Sequence, residues 1–364
     1  MVTDRDTFFM RKALQLAERG RGLTSPNPMV GAVIVDHDGV VIGRGSHELA
    51  GGPHAEVHAL HTAGTAARGA TLYCTLEPCS HTGRTGPCAP LVADAGIARV
   101  VVATEDPNPL VAGRGLRFLR ERGLAVATGV LARDAERLNR PFFTFMRARR
   151  PFVTMKVALS ADGRIAAGAG ERTSLTSKAA NRHVHRERAE TDAIAVGSGT
   201  MMTDDPTLTA RGPFRSRPLT RVIFDRRLRT RPSARIFSTL EAGPVIIVGK
   251  PHVTEAEAAT GAALRGAGAL LECPADGRIG TTLETLAARG ITSLIVEGGT
   301  MLHQAFWNAG VVDRVQVYVT PRVLGDTGVP WLPFDVMASP LMTERSSRPL
   351  GDDMLVEAYV HRIN

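Results

Sequence analysis

The sequence holds no run of about 18 apolar residues, the length that a membrane-crossing helix needs, so no membrane partner is expected. Aromatic residues are scarce at 5%, which argues against a platform that holds single-stranded nucleic acid by stacking on its bases. Cysteines are few: Cys74, Cys79, Cys88 and Cys273. Three of them crowd one stretch, and in a cytosolic chain such clustering points to metal before disulfide. There is no internal repeat and no low-complexity segment. The opening residues, MVTDRDTFFMRKALQLAERG, carry early acids and an amphipathic pattern in place of the features of a signal peptide. A cytoplasmic protein is expected.

What is present fits a soluble enzyme. The 364 residues exceed one ordinary domain and predict two or three. Hydrophobic residues at 43% and charged residues at 22% give the balance of a globular protein. The net charge is +8 and the pI about 9.9, with arginine supplying most of the excess. Such a surface suits nucleic acid or a phosphorylated small molecule, because arginine grips phosphate through two parallel hydrogen bonds. For most of these arginines plain solvation is the simpler account.

Patterning predicts an α/β chain. A helix is expected over Phe8 to Glu18. Strands are expected at Val30 to Val35 and Val40 to Gly43, joined by an Asp38-Gly39 turn. Helix follows at His54 to Ala63, then strands at Ala70 to Leu76 and Val100 to Ala103. Arg147 to Pro151, a charged stretch ending in proline, reads as a linker, giving domains at residues 1–147 and 150–364. In the second domain strands are expected in PFVTMKVALSADG and at Ala193 to Val196, Val222 to Asp225, Val245 to Val248, Leu294 to Val296 and Val315 to Val319.

His54-Ala55-Glu56 opens a helical pattern, and Pro78-Cys79 and Cys88 follow it. One imidazole and two thiolates form a ligand set of the right softness for zinc. Three protein ligands leave a fourth position for water, whose pKa zinc lowers. Glu56 stands beside the metal without being needed as a ligand, so it can shuttle protons to a leaving nitrogen. This H-x-E…P-C…C arrangement is the signature of zinc nucleobase deaminases. Cys74, inside the strand ATLYCTL, is expected in the core. His58 and His61 are read as helix-face residues, since H-A-E-V-H puts the acid in the wrong place for a metalloprotease.

In the second half, SLIVEGGT (Ser293 to Thr300) and AIAVGSGT (Ala193 to Thr200) both read as strand, glycine turn, helix. Free N–H groups at such a turn suit phosphate, although neither matches the six-residue Rossmann fingerprint. Lys156 lies in an apolar strand, where a lysine is costly unless paired or functional; the alternative is a strand-edge lysine that reaches water.

Eight residues separate Cys79 from Cys88, whereas nucleic-acid deaminases space the pair P-C-x-x-C. Together with SPNPMVGAVIV, HAEVHAL, TLEPCSHTGRTGPC, EDPNPLVAGRG, KVALSADGRIA, VGSGTMMTDDPTLTAR and VEGGTML, this gap closely resembles the bifunctional riboflavin-biosynthesis deaminase–reductase family. The resemblance covers nearly the whole chain. It implies a cytidine-deaminase-like N-terminal domain and a dihydrofolate-reductase-like C-terminal domain. The first would remove the ring 2-amino group of 2,5-diamino-6-ribosylamino-4(3H)-pyrimidinone 5′-phosphate. The second would reduce the ribosyl chain to ribityl with NADPH.

Carried over by the resemblance, zinc is held by His54, Cys79 and Cys88, with Glu56 as proton shuttle. Asn27, His47, Asp106 and Asn108 line the pyrimidine and ribose side, and His81 and Arg84 reach the phosphate. In the reductase, Asp204 and Glu297 are brought toward Lys156. Ala158, Ser174, Thr200, Asp204 and Gly299, Thr300, Met301 and Leu302 contact NADPH. Ser174 stands where many relatives carry an aromatic. Arg188, Leu208 and Arg211, with Arg172, contact the phosphorylated substrate; Arg188 reads equally as part of a solvated Arg182–Arg186 face. Arg226 is the candidate for the 2′-phosphate of NADPH. A homo-oligomer is expected, with no nucleic-acid partner. The competing reading, a nucleic-acid adenosine or cytosine deaminase with a basic accessory domain, is opposed by the cysteine gap and by the VEGGT half.

Overall fold

In the computed structural model of the chain the described residues are 3–361, apart from 81–85, 110, 213–214, 216 and 251–253. The backbone divides into two compact units, Met1–Arg149 and Arg150–Asn364. Among the described residues no helix is long and apolar enough to cross a membrane.

In the first unit the elements run α1 (Asp4–Ala17), β1 (Gly31–Val35), β2 (Val41–Ser46), α2 (Ala55–Ala63), β3 (Thr71–Leu76), α3 (Cys88–Asp94), β4 (Arg99–Thr104), α4 (Arg114–Glu121), β5 (Ala125–Thr128), α5 (Ala132–Leu138) and α6 (Arg140–Ala148). The strands form one sheet ordered β2-β1-β3-β4-β5. Strand alternation explains why helices cover both faces. Ala32, Ile34, Leu72, Cys74, Val100 and Val102 pack with Ala55 and Ala59 of α2, Val92 of α3, Leu116 of α4 and Phe142 of α6. Val33, Val35, Tyr73 and Val101 face the other way, onto Phe9 and Ala13 of α1 and Ala135 of α5. Helix α2, which leads out of the zinc motif, lies unusually close to β2. A Cβ at Gly45 would come within 2.0 Å of the Ala55 carbonyl, and one at Gly43 within 2.3 Å of that of Ala59.

One buried acid ties α1 to the sheet. Asp6 accepts from both Arg99 nitrogens, at 2.6 and 3.0 Å, and from the Tyr73 hydroxyl at 3.1 Å. It also completes a capping box with Thr3. The hydrogen-bonded Arg99 guanidinium outweighs burial and holds the Asp6 carboxyl well below its ordinary range. Asp6→Asn should lower the stability of the first unit by about 2–3 kcal/mol, toward the low end for a broken buried pair because Arg99 is partly exposed. With the folded value depressed, Asp6 contributes fully above the unfolded value near pH 4, and the contribution is lost as pH falls through the folded value. Hydrogen exchange of the α1 and β4 amides followed against urea should shift, with the amides of the second unit as the control. An unshifted curve for α1 and β4 would remove the assignment.

In the second unit the elements run β6 (Phe152–Leu159), β7 (Arg164–Ala166), α7 (Lys178–Glu190), β8 (Ala193–Gly197), α8 (Ser198–Asp204), β9 (Thr220–Phe224), β10 (Val245–Val248), α9 (Glu255–Gly266), β11 (Ala269–Glu272), α10 (Ile279–Ala288), β12 (Ser293–Glu297), α11 (Thr300–Asn308), β13 (Arg314–Val319), β14 (Val329–Pro330), β15 (Met342–Leu350) and β16 (Asp353–Val360). The main sheet is ordered β11-β10-β9-β8-β12-β6-β13-β16-β15, and β14 pairs with β7 apart from it. From β11 to β13 every neighbouring pair is parallel; β16 runs against both its neighbours. The chain enters at β6, works outward to β11, then returns to insert β12 between β8 and β6. That reversal opens a crevice at the carboxyl ends of β8, β12 and β6, where open α/β sheets bind ligands. Val153, Met155, Leu294, Val296, Val315 and Val317 bury one face of the sheet under Leu283 and Leu286 of α10 and Phe306 of α11.

The boundary between the two units falls inside the stretch Arg147 to Pro151. Helix α6 continues through Ala148, and Arg150 grips Asp313 at 2.6 and 2.8 Å.

Candidate active sites

His54 is the residue preceding α2, and Cys88 is the first residue of α3. Cys79 follows β3 through Glu77-Pro78. These placements bring the His54 Nδ1 to 3.5 Å from the Cys79 Sγ and 3.3 Å from the Cys88 Sγ, with all three ligand atoms within 4.8 Å of one another. In a tetrahedral zinc site with Zn–N about 2.1 Å and Zn–S about 2.3 Å, the N–S edges measure about 3.6 Å. The residues therefore fit zinc, and theirs is the one metal-ligating cluster among the described residues. Hydrogen bonds from Cys88 and His54 hold the Cys79 thiol below its ordinary range, while the same bond and burial raise Cys88, so without a metal the two sulfurs share one proton and Cys79 is the thiolate. Cys74 is fully buried, and burial raises its thiol; it belongs to the core.

Glu56 is buried on the first turn of α2 and hydrogen-bonds Cys88. Burial pushes its carboxyl up to about 7; the charge of a metal acts in the opposite direction. His47 sits 5.3 Å from the His54 ring, centre to centre. Its Nδ1 donates to the Pro53 carbonyl at 3.0 Å, leaving Nε2 to accept from the Asn27 amide at 3.2 Å. Burial lowers its pKa, so it is neutral near pH 7.

Asp106 and Asn108 form a turn closed by the Asn108 N–H on the Asp106 carboxylate at 2.8 Å. Burial pushes Asp106 up to about 6, helped by Glu77 and Cys79. Glu77, which the sequence reading passed over, holds this loop. It accepts from the backbone N–H of Asp106, Gly113, Gly115 and Leu116 at 2.8–3.2 Å. Its place directly before Pro78-Cys79 was the available signal. His81 and Arg84 lie outside the described residues.

In the second unit Lys156 on β6 stands directly across from Glu297 on β12. β6 lies inside the sheet, so Lys156 is not the strand-edge lysine that was the alternative. Its Nζ is 3.4 Å from a Glu297 oxygen and 5.4 Å from the Tyr318 ring centre. Arg188 reaches Glu297 from α7 with two hydrogen bonds, 2.8 and 2.9 Å, and gives a third to the Thr209 carbonyl at 3.1 Å. Arg188 is thus withdrawn from the solvated Arg182–Arg186 face. Burial alone would raise the Glu297 carboxyl, but Arg188 and then Lys156 outweigh it and hold it well below its ordinary range.

Asp204 ends α8 and makes no hydrogen bond or ion pair with Lys156 or Glu297 among the described residues. Burial raises its pKa and the charge of Arg172 opposes the rise. Arg211 is exposed, with its backbone N–H on His185. Leu208 is buried in the apolar cluster of β8 and β9 with a positive φ of 53°. Ser174 is exposed, its carbonyl accepting from Arg322.

Gly197 and Gly298 end β8 and open the turn after β12, with Leu302 packed against both. A Cβ at Gly298 would come within 2.9 Å of Leu302. At Gly199 and Gly299 an added Cβ would meet nothing within 4 Å, and Met301 is 85% exposed. The turns before α8 and α11 are therefore open, as a dinucleotide lying over strand ends requires. Thr200 lies on α8, Ala158 on β6 and Thr300 at the start of α11; the Thr300 hydroxyl donates to the Pro330 carbonyl. Arg226 is exposed just beyond β9, next to β8 in the sheet.

Residues 3–104 match the model of the cytidine and deoxycytidylate deaminase zinc-binding region, and residues 151–356 match the RibD C-terminal domain. The molecule is a zinc-dependent deaminase with a cytidine-deaminase-like zinc-binding region, joined to a reductase unit that matches the RibD C-terminal domain. Riboflavin biosynthesis protein RibD of Bacillus amyloliquefaciens is 42% identical over 90% of this chain and 87% of its own length. The Escherichia coli protein of that name is 40% identical over 88% and 89%. A solved RibD of Acinetobacter baumannii superposes with a TM-score of 0.88 at 37% identity, covering 99% of both chains. A solved diaminohydroxyphosphoribosylaminopyrimidine deaminase/5-amino-6-(5-phosphoribosylamino)uracil reductase of Thermotoga maritima gives 0.84 at 33%, covering 98% of this chain and 99% of its own. The chain belongs to the RibD family, the bifunctional deaminase–reductases of riboflavin biosynthesis, and its first unit carries that family's zinc-binding region.

Proposed function

We propose that the first unit hydrolyses the 2-amino group from 2,5-diamino-6-ribosylamino-4(3H)-pyrimidinone 5′-phosphate, and that the second reduces the ribosyl chain of the resulting 5-amino-6-(5-phosphoribosylamino)uracil to ribityl. The observation that carries this reading is the convergence of His54, Cys79 and Cys88 with buried Glu56 beside them. Zinc held by His54, Cys79 and Cys88 would make a water nucleophilic near neutral pH. Glu56 accepts that water's proton and returns it to the departing nitrogen, so that ring C2–NH₂ becomes C2=O and ammonia leaves. Neutral His47, fixed by Pro53, offers a lone pair shared with Asn27, and Asp106 and Asn108 face the ribose. His81 and Arg84 are assigned to the phosphate.

In the second unit a bound NADPH would supply a hydride to C1′ as the C1′–O4′ bond of the ribosyl ring opens. Lys156 holds the proton that the freed oxygen takes up, Glu297 orients Lys156, and Arg188 anchors Glu297 from the side where the substrate's phosphate would meet Arg211, with Arg172 and Leu208 bordering it. Ala158, Ser174, Thr200, Asp204 and Gly299 to Leu302 are assigned to NADPH, with Arg226 on its 2′-phosphate, where a cation is wanted. The enzyme is proposed to be homo-oligomeric and cytoplasmic, where thiols such as Cys79 and Cys88 stay reduced. Neither nucleic acid nor membrane is proposed as a partner.

Incubation with the diaminopyrimidinone phosphate, read by mass, tests the reading. Without NADPH the deaminated compound should accumulate; with NADPH the ribityl product should replace it. Deamination of transfer RNA or single-stranded DNA in preference to this substrate would overturn the proposal.

A further inference from the structure

Asn139 lies between α5 and α6, at the position that caps α6. Asparagine there ordinarily turns its side chain onto the first free N–H groups of the helix. Here it makes no such bond. Its amide is diverted to a residue 110 positions earlier: the Oδ1 accepts from the Met29 N–H at 2.8 Å, and the Nδ2 donates to the Met29 carbonyl at 2.8 Å. The side chain is buried, so both bonds are shielded from water and neither group has a ready substitute.

Met29 needs lateral support. Pro26 and Pro28 have no N–H to offer a neighbouring strand, and β1 begins only at Gly31. The Asn139 amide supplies the donor and acceptor that a paired strand would have given. Next to Met29, the Val30 carbonyl accepts from the His47 backbone N–H at 2.9 Å. Two residues before Met29, the Asn27 side chain meets the His47 ring, which packs against the zinc ligand His54. The Met29–Val30 backbone is thus held between Asn139 on one side and His47 on the other.

We propose that Asn139 is a positioning residue for deamination: it clasps the Met29 backbone and thereby sets Asn27 and His47 against the substrate. The inference rests on the assignment of Asn27 and His47 to the deaminase pocket. It adds a residue on the last helical pair of the unit, well beyond the zinc motifs.

The test is a double-mutant cycle on the full-length, zinc-loaded chain. Asn139→Ala should raise the deaminase KM about tenfold while zinc content and reductase rates stay at wild-type level. Asn139→Asp keeps the acceptor for the Met29 N–H but points a carboxylate at the Met29 carbonyl; it should fold and show the same KM defect. In an Asn27→Ala background either change should raise KM by clearly less than in the wild type, because one of the two residues being positioned is gone. Full additivity with Asn27→Ala, or a fall in zinc content with unchanged KM, would show that Asn139 serves only the stability of the fold. If Asn27→Ala alone leaves KM unchanged, the pocket assignment itself falls, and this inference with it.

Discussion

Glu56→Gln should leave the protein folded, with about one zinc per chain, and should nearly abolish deamination. The amide keeps the shape of the side chain on α2 and removes only its ability to take up a proton. General acid–base groups contribute about 10²–10⁴-fold, so deaminase kcat should fall by that factor. The ligands His54, Cys79 and Cys88 are untouched, so metal content should match wild type. Reductase turnover on the deaminated compound should be unchanged. Near-normal deamination by a zinc-loaded Glu56→Gln protein would end the assignment of Glu56 as proton carrier.

Glu297→Gln should produce the complementary phenotype. Glu297 is the shared counter-charge of Lys156 and Arg188, both largely shielded from solvent. Removing it leaves two cations facing each other in a poorly solvated site, at a cost to the second unit of about 3 kcal/mol. Reductase kcat/KM should fall by about 10²-fold or more, since the cation that holds the substrate's proton loses its orientation. Deamination should continue. The sign of the pH effect follows from the depressed carboxyl. Glu297 stabilises the fold above its unfolded value near pH 4.5, and that contribution is lost as pH falls through the lower folded value. Its titration therefore leaves no inflection in reductase rates between pH 5 and 8. Such an inflection, present in the wild type and abolished by Glu297→Gln, would sink the ion-pair account.

Much of this was legible in the sequence because the chemistry is local there. His54 and Glu56 sit two apart at a helix start, and Pro78-Cys79 and Cys88 lie on one short excursion between β3 and α3. The apolar strands β6, β8, β10, β12 and β13 announced themselves because parallel strands buried on both faces read as continuous Val/Ile runs. β15 did not, because its TERSSRPL is exposed almost throughout and so carries no alternation. β11 did not either, because only Ala269 of its ALLE is buried, whereas β10, equally short, is a continuous buried VIIV. Glu77 could have been suspected from its place before Pro78-Cys79, but not its partners, and Asn139 was illegible altogether. Each acts on backbone groups supplied from elsewhere in the chain, 110 residues away for Asn139, and a polar side chain gives no hint of which backbone it will meet. Arg188 was visible only as one arginine among several on α7; the three-dimensional pairing with Glu297 singles it out.

The position of β6 in its sheet also bears on the order in which the chain acquires structure. β6 emerges first in the second unit, yet it ends as an interior strand between β12 and β13. Lys156 waits for Glu297, 141 residues later, and Thr154 for Arg314, 160 residues later. During synthesis the first unit has every residue it needs by Arg149, while the strand that follows presents both hydrogen-bonding edges with nothing to pair. Strands β8 to β11 are neighbours in succession in the finished sheet and need no later residue to pair with one another. Closure of so distant a pairing is slow, and an unpaired apolar strand is exposed to aggregation until it occurs. All residues of the first unit are thus synthesised before β12 and β13, the two neighbours of β6, which lie in the last third of the chain, so completion of the reductase crevice depends on the part of the sequence made last.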